Sequence, residues 1–171
     1  MQALAIKSHR IRLLLMLIPA ICLGMLASCD DDEVCEKATA NNLRIGFYPA
    51  GQEEEFWVSI DSLRVLTLEK PEEPVYDTLF SVSSLELPLN HHADNSTFIF
   101  DFFHTRDTLW IHYERETHLI SVECGFTVFY ELQDMDYTTH FIEALEINEP
   151  DVTNSLDEHV KIFVPDTIPG N

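Results

Sequence analysis

The sequence predicts an all-β domain, an antiparallel, immunoglobulin-like β-sandwich of about eight strands, with a small closed barrel as the alternative. Three observations carry that prediction. From residue 43 onward apolar side chains recur at every second position, the period of a half-buried strand rather than the 3.6 of a helix. Turn formers such as Pro49-Ala50-Gly51, the cluster from Glu69 to Pro74 and Asp94-Asn95-Ser96 interrupt the alternation at short intervals. No segment reads as a convincing helix and no repeat is found, which argues against α/β and solenoid architectures.

The first element is an export signal. Lys7, His9, Arg10 and Arg12 form a basic leader, Leu13 to Leu26 form an uncharged core, and Leu26-Ala27-Ser28-Cys29 closes it. Small residues before a cysteine are what a bacterial lipoprotein signal peptidase requires, because it cuts beside a thiol already alkylated with diacylglycerol. Cys22 is a poor rival, since the branched Ile21 precedes it. The uncharged run is shorter than the roughly 20 apolar residues of a membrane span and is interrupted by Pro19 and Gly24. The expectation is a mature chain beginning at Cys29 and held to a membrane by its acyl chains, at about 0.8 kcal/mol per buried CH₂.

Cleavage leaves seven basic residues against 30 acidic ones, a net charge of about −23 with neutral histidines. Such a field repels phosphates and anionic lipid heads, so nucleic-acid binding is not expected. Cys35 and Cys124 are the two remaining thiols, and in an oxidising compartment they are expected to form a disulfide.

Asp30-Asp31-Asp32-Glu33 reads as a tether, and residues up to 42 lead into the sheet. Leu43, Ile45 and Phe47 alternate with polar neighbours and predict the first strand; Phe56, Val58 and Ile60 predict the second, and Leu63 to Leu68 a third. Shorter strands are expected at Val75 to Phe80 and near Leu85 to Leu89. Phe98, Phe100 and Phe102 share one face of the next strand, and Leu109, Ile111 and Tyr113 one face of its neighbour. Ile120, Val122, Cys124, Phe126, Val128 and Tyr130 read as one continuous strand, with Cys124 on its apolar face, where a bridge would staple the N-terminal segment to the core. Tyr137 to Ile147 fits both periods and is assigned as strand, and Val160, Ile162 and Val164 form the last one. The organisation expected is a signal over 1–28, a lipidated cysteine and tether over 29–42, a sandwich over 43–165 and a tail over 166–171.

Cys29, Cys35, Phe47-Tyr48, Leu87-Pro88-Leu89-Asn90 and Cys124-Gly125 together make the chain resemble a family of small uncharacterised lipoproteins from Gram-negative anaerobes. The resemblance covers nearly all of the mature chain and implies a lipid-anchored all-β domain, with no catalytic residue carried over. The acidic run after Cys29 also resembles the export signal of surface-displayed lipoproteins in such bacteria.

Chemistry is sparse. No two of Gly46, Gly51, Gly125 and Gly170 are spaced for a phosphate loop or a nucleophile elbow. Glu114 with Glu116 and Asp134 with Asp136 are acid–base pairs of the kind an acidic composition produces by itself. His91, His92, His104, His112, His118 and His140 are scattered without metal-ligand spacing, so neither a metal nor a cofactor is expected. Alternation turns Trp57 and Trp110 to the polar side, which makes them a candidate platform for a glycan or peptide. Ser62, Thr78, Thr108 and Thr167 each follow Asp and precede an apolar residue, a pattern like the O-glycosylation sequon some Gram-negative anaerobes use on exported proteins. The expectation is a non-catalytic, outer-membrane-anchored binding or accessory module of the cell envelope, with surface display as the lean of the acidic run, and with membrane lipid and an envelope protein or glycan as partners. The alternatives are a glycan-acting hydrolase using dispersed carboxylates and a purely structural envelope subunit.

Overall fold

The computed structural model describes Cys35 and residues 41–52, 56–102 and 104–165. Cys29, Thr167 and the signal and tether segments lie outside the described residues. Among the described residues ten strands follow one another: β1 (Asn42–Pro49), β2 (Ile60–Thr67), β3 (Tyr76–Val82), β4 (Ser84–Pro88), β5 (Asn95–Phe102), β6 (Thr105–Ser121), β7 (Gly125–Tyr137), β8 (Ala144–Ile147), β9 (Asp151–Val152) and β10 (Val160–Val164). They form two sheets, ordered β4-β1-β10-β8 and β3-β2-β5-β6-β7-β9, which make a β-sandwich. Leu43, Ile45 and Phe47 of β1 and Val160, Ile162 and Val164 of β10 share one buried core with Phe98, Phe100 and Phe102 of β5 and Leu109, Ile111 and Tyr113 of β6. Each such side chain contributes about 1.5–3 kcal/mol by leaving water.

The ladders are antiparallel but for one. β1 and β10 run parallel, with Ile45 opposite Val160 and Phe47 opposite Ile162, within a sandwich that is otherwise antiparallel, as expected. Alternation within a strand reports its faces but says nothing about the direction of its neighbour. Of the stretch from Tyr137 to Ile147 that alternation assigned as one strand, only its end, β8, is a strand separate from β7, and the two-residue β9 falls where no strand was expected.

Two further strand assignments are corrected. Phe56 to Ser59 is not a strand: Val58 N–H donates to Phe47 O (3.0 Å), while the side chains of Phe56 and Trp57 are exposed, so no ladder forms. The run from Ile120 to Tyr130 is broken by a hairpin turn, in which Gly125 adopts φ +74° opposite Ser121. A three-residue loop followed by a left-handed glycine is a favoured way to reverse a strand, and alternation does not carry through a reversal. Cys124 therefore lies in the turn, bonded to Cys35 across 89 residues. The bridge staples the N-terminal segment to the tip of the β6–β7 hairpin rather than to the core. β5 pairs with β6 only as far as His112 and β9 with β7 only at Tyr130 and Glu131, so beyond Arg115 the hairpin continues as a two-stranded arm. Asn41 Nδ2 braces it by donating to Thr127 Oγ1 and Val128 O, both at 2.7 Å.

The loop after β7 is organised by a carboxylate. Asp107, fully buried on β6, accepts from Thr138 Oγ1 (2.6 Å) and from the backbone N–H groups of His140 (2.9 Å), Phe141 (2.7 Å) and Ile142 (2.9 Å). The His140 ring adds Nδ1 at 3.0 Å. These backbone donors go to a side chain rather than to preceding carbonyls, so Phe141 and Ile142 form a loop despite their helical spacing. Burial alone raises the Asp107 pKa, but the hydrogen bonds from Thr138, His140, Ile142 and Phe141 outweigh it and hold the carboxyl below its ordinary value.

Asp107→Ala leaves several buried donors unanswered, each costing about 1–3 kcal/mol, and should lower the urea midpoint sharply. The wild-type contribution is complete above the unfolded value near pH 3.9 and is lost as pH falls through the lower folded value. Denaturation curves between pH 2 and 5 should therefore converge for wild type and Asp107→Asn at the acid end, and parallel curves would show that this carboxylate is not ionised in the fold.

Candidate functional site

The outward residues of β1 are Arg44, Gly46 and Tyr48, and a constellation of side chains from three parts of the chain meets over them. Trp57 Nε1–H donates to Tyr48 Oη (2.7 Å), and Tyr48 O–H donates to Glu158 Oε1 (2.9 Å). Glu158 reaches this position because Gly46 has no side chain: a Cβ there would lie 2.0 Å from Glu158 Oε2 and 2.9 Å from Tyr48 Cε2. Lys161 Nζ stands 5.5 Å from the Tyr48 ring centroid, and the ring of Phe163, also on β10, lies 6.0 Å away. Tyr48 is a weaker acid than usual because burial disfavours its anion and Glu158 adds repulsion, while the Trp57 hydrogen bond opposes both. The result is an indole held by its N–H yet 64 % exposed.

Trp57 borders a cleft of about 510 Å³ that Tyr76, Leu79, Arg44, Glu86 and Glu158 also line. Arg44 Nε pairs with Glu86 Oε1 at 2.9 Å, and its Nη1 donates to Ser155 O. The Arg44 hydrogen bond holds the Glu86 carboxyl below its ordinary pKa, against the opposing effect of burial, so Glu86 is poorly suited to general-acid work. An apolar wall, a pinned indole and a few charged groups can accept a ring that is flat on one face and hydroxylated at its edge.

Beneath the cleft lies a residue that sequence reasoning missed. His159 is fully buried, its ring Nδ1 accepting from the Arg44 backbone N–H (2.9 Å) while its backbone N–H donates to Arg44 O (3.0 Å). Burial first, and the Arg44 charge second, hold its pKa below the ordinary histidine value. No spacing in the sequence signals this pairing, which joins residues 115 apart.

The structure does not bring the two tryptophans together in this cleft. Trp110 stands on the outer face of β6, opposite Thr97 of β5 and Asp136 of β7. On the same face His112, Asp134 and Asp136 come together, with ligand atoms all within 4.8 Å of one another. Glu114 and Glu116 line a second cleft, of about 430 Å³, with Arg115 and His118, and Glu116 Oε2 lies 3.2 Å from His118 Nε2. Of the sequon positions, Thr78 is exposed on β3, whereas Ser62 and Thr108 are half-buried within β2 and β6.

The family model described as "Family of unknown function (DUF6452)" matches residues 62–164, and the chain belongs to that family. The matched stretch contains Asp107, Trp110, the His112 cluster and Glu158, and begins after Tyr48 and Trp57. No curated protein and no solved structure matches the chain.

Two outcomes test this geometry. Gly46→Ala should push Glu158 off Tyr48 and unpin Trp57, seen as loss of the slow component of indole fluorescence anisotropy, with Tyr48→Phe giving the same change. His159, depressed in the fold and titrating near pH 6.5 when unfolded, should make stability fall below pH 6.5 by up to about 1.4 kcal/mol per pH unit until the folded value is reached. That slope should vanish in His159→Gln, as read from urea midpoints between pH 4.5 and 8.

Proposed function

Taking the chain as a member of this uncharacterised family, we propose that it is a lipid-anchored, non-catalytic binding module of a bacterial cell envelope, tethered to the outer membrane through Cys29. The observation that carries the reading is the bond between Cys35 and Cys124. Structural disulfides persist in oxidising compartments, which agrees with an export signal ending at Cys29. The bond also sets an orientation. Five residues separate Cys29 from Cys35, a span of at most about 20 Å when extended, so the tip of the β6–β7 hairpin stays close to the bilayer that holds the acyl chains. Leu119 and Phe126, directly opposite each other on that tip, are 56 % and 69 % exposed, and Val122 in the turn is 89 % exposed. An apolar tip beside the lipid anchor is a foot that rests on the membrane. Trp57 and its cleft supply the binding surface, with a sugar ring or an aromatic peptide side chain as ligand.

Cys29→Ala should move the protein from the membrane fraction to the soluble fraction of fractionated cells, and membrane retention of that variant would overturn the anchor. With Cys29 intact, replacing Leu119 and Phe126 by Ser should leave fractionation unchanged but increase protease access to the hairpin.

A further inference from the structure

We propose that His112, Asp134 and Asp136 form a surface site for one divalent transition-metal ion of the zinc type. The site is built by a bulge. Tyr130 and Leu132 of β7 point into the core, and plain alternation would send Asp134 and Asp136 after them. The register slips instead: Tyr113 faces Leu132 and His112 faces Asp134, which leaves Gln133 as an extra residue on β7. Met135 and Tyr137, opposite Ile111 and Leu109, then take the inward positions and pack on the core. Asp134 and Asp136 are turned outward onto the face that already carries His112. A bulge is a recognised means of re-aiming side chains, and here it assembles three ligand side chains, one imidazole and two carboxylates, from two hydrogen-bonded strands.

The electrostatics ask for a cation. Two carboxylates and an imidazole offer ligand atoms within 4.8 Å of one another, in a chain of net charge −20. Among the described residues no hydrogen bond or ion pair reaches any of the three side chains. A tetrahedral zinc ion with ligands at about 2.0–2.1 Å needs them roughly 3.4 Å apart, and exposed side chains on fixed backbone positions close the difference by rotation. One imidazole nitrogen and two carboxylate oxygens favour zinc, nickel or copper over calcium and magnesium, which prefer all-oxygen sites. Three protein ligands leave at least one position for water or for a group on a partner. The site is independent of both the lipid anchor and the Trp57 cleft.

The test uses the purified protein without an affinity tag, titrated with Zn²⁺ by calorimetry. The expected result is one ion per chain, with affinity reduced at least about tenfold in His112→Ala and in Asp134→Asn and unchanged in His118→Ala, which belongs to the other cleft. Equimolar Ca²⁺ should not compete. Because Trp110 lies opposite Asp136, Ni²⁺ should quench part of the tryptophan emission, and Trp110→Phe should abolish that quenching while Trp57→Phe preserves it. All three ligands are exposed, so the substitutions leave the core intact. Absence of Zn²⁺ binding at millimolar concentration, binding unaltered in His112→Ala and Asp134→Asn, or displacement by equimolar Ca²⁺ would each overturn the proposal.

Discussion

The parallel pairing of β1 with β10 is the constraint on which both the core and the aromatic cleft depend. It joins strands from opposite ends of the described chain, so the four-stranded sheet closes only when the last strand docks beside the first. Inward, that docking aligns Ile45 and Phe47 with Val160 and Ile162 and completes one wall of the core. Outward, it sets Gly46 beside Lys161 and Tyr48 beside Phe163, and it brings the segment before β10 over β1, where Glu158 and His159 find their partners. Contacts of such long sequence separation form late and slowly, because loop closure is paid for before they stabilise anything. The aromatic cleft therefore exists only in the completed fold.

Much of the sheet was legible from residue type alone. Leu43-Ile45-Phe47, Phe98-Phe100-Phe102, Leu109-Ile111-Tyr113 and Val160-Ile162-Val164 alternate in the sequence and are buried in the structure. The failures share one cause, which is that period-two reasoning assumes an unbroken strand. It carried the alternation of Ile120 to Tyr130 straight through the turn at Gly125, and it assigned a strand to the segment around Trp57, which is held by an indole hydrogen bond instead. It also had no means to see that Gln133 shifts the phase of β7, so Asp134 and Asp136 were a pair without a third member. Trp110, upstream of that slip, was correctly assigned to the polar face.

Charge is handled in two different ways within the same acidic chain. Most carboxylates lie at the surface, where solvent screens them and ion pairs such as Lys70 with Glu73 contribute little. Asp107 is the opposite case, an ionised group without solvent contact, tolerated because four donors of one loop and the His140 ring surround it. A buried charge so enclosed also specifies the loop, since no neutral conformer offers those donors an equal acceptor. His159 follows the complementary rule and remains neutral, because its Nδ1 must be free of a proton to receive the Arg44 N–H.

The structure also bears on how the four Asp-Ser/Thr-apolar triplets are to be weighed. At Asp107-Thr108-Leu109 the fold itself requires the pattern: Asp107 caps the loop, Thr108 N–H bonds Thr138 Oγ1 at 2.9 Å, and Leu109 is core. At Asp61-Ser62-Leu63 the triplet lies within β2, where Ser62 is half-buried opposite Phe80 and Leu63 is core. A modifying enzyme needs an extended, accessible hydroxyl, and neither site presents one on the folded protein. Thr78 differs. It lies on the edge strand β3, exposed, at an irregularity in the β2–β3 pairing, with φ +57°. A β-branched residue in the left-handed region is strained, and a bulged edge also discourages another strand from adding to the sheet. Of the described triplets, Thr78 is thus the one whose hydroxyl the fold leaves open to modification.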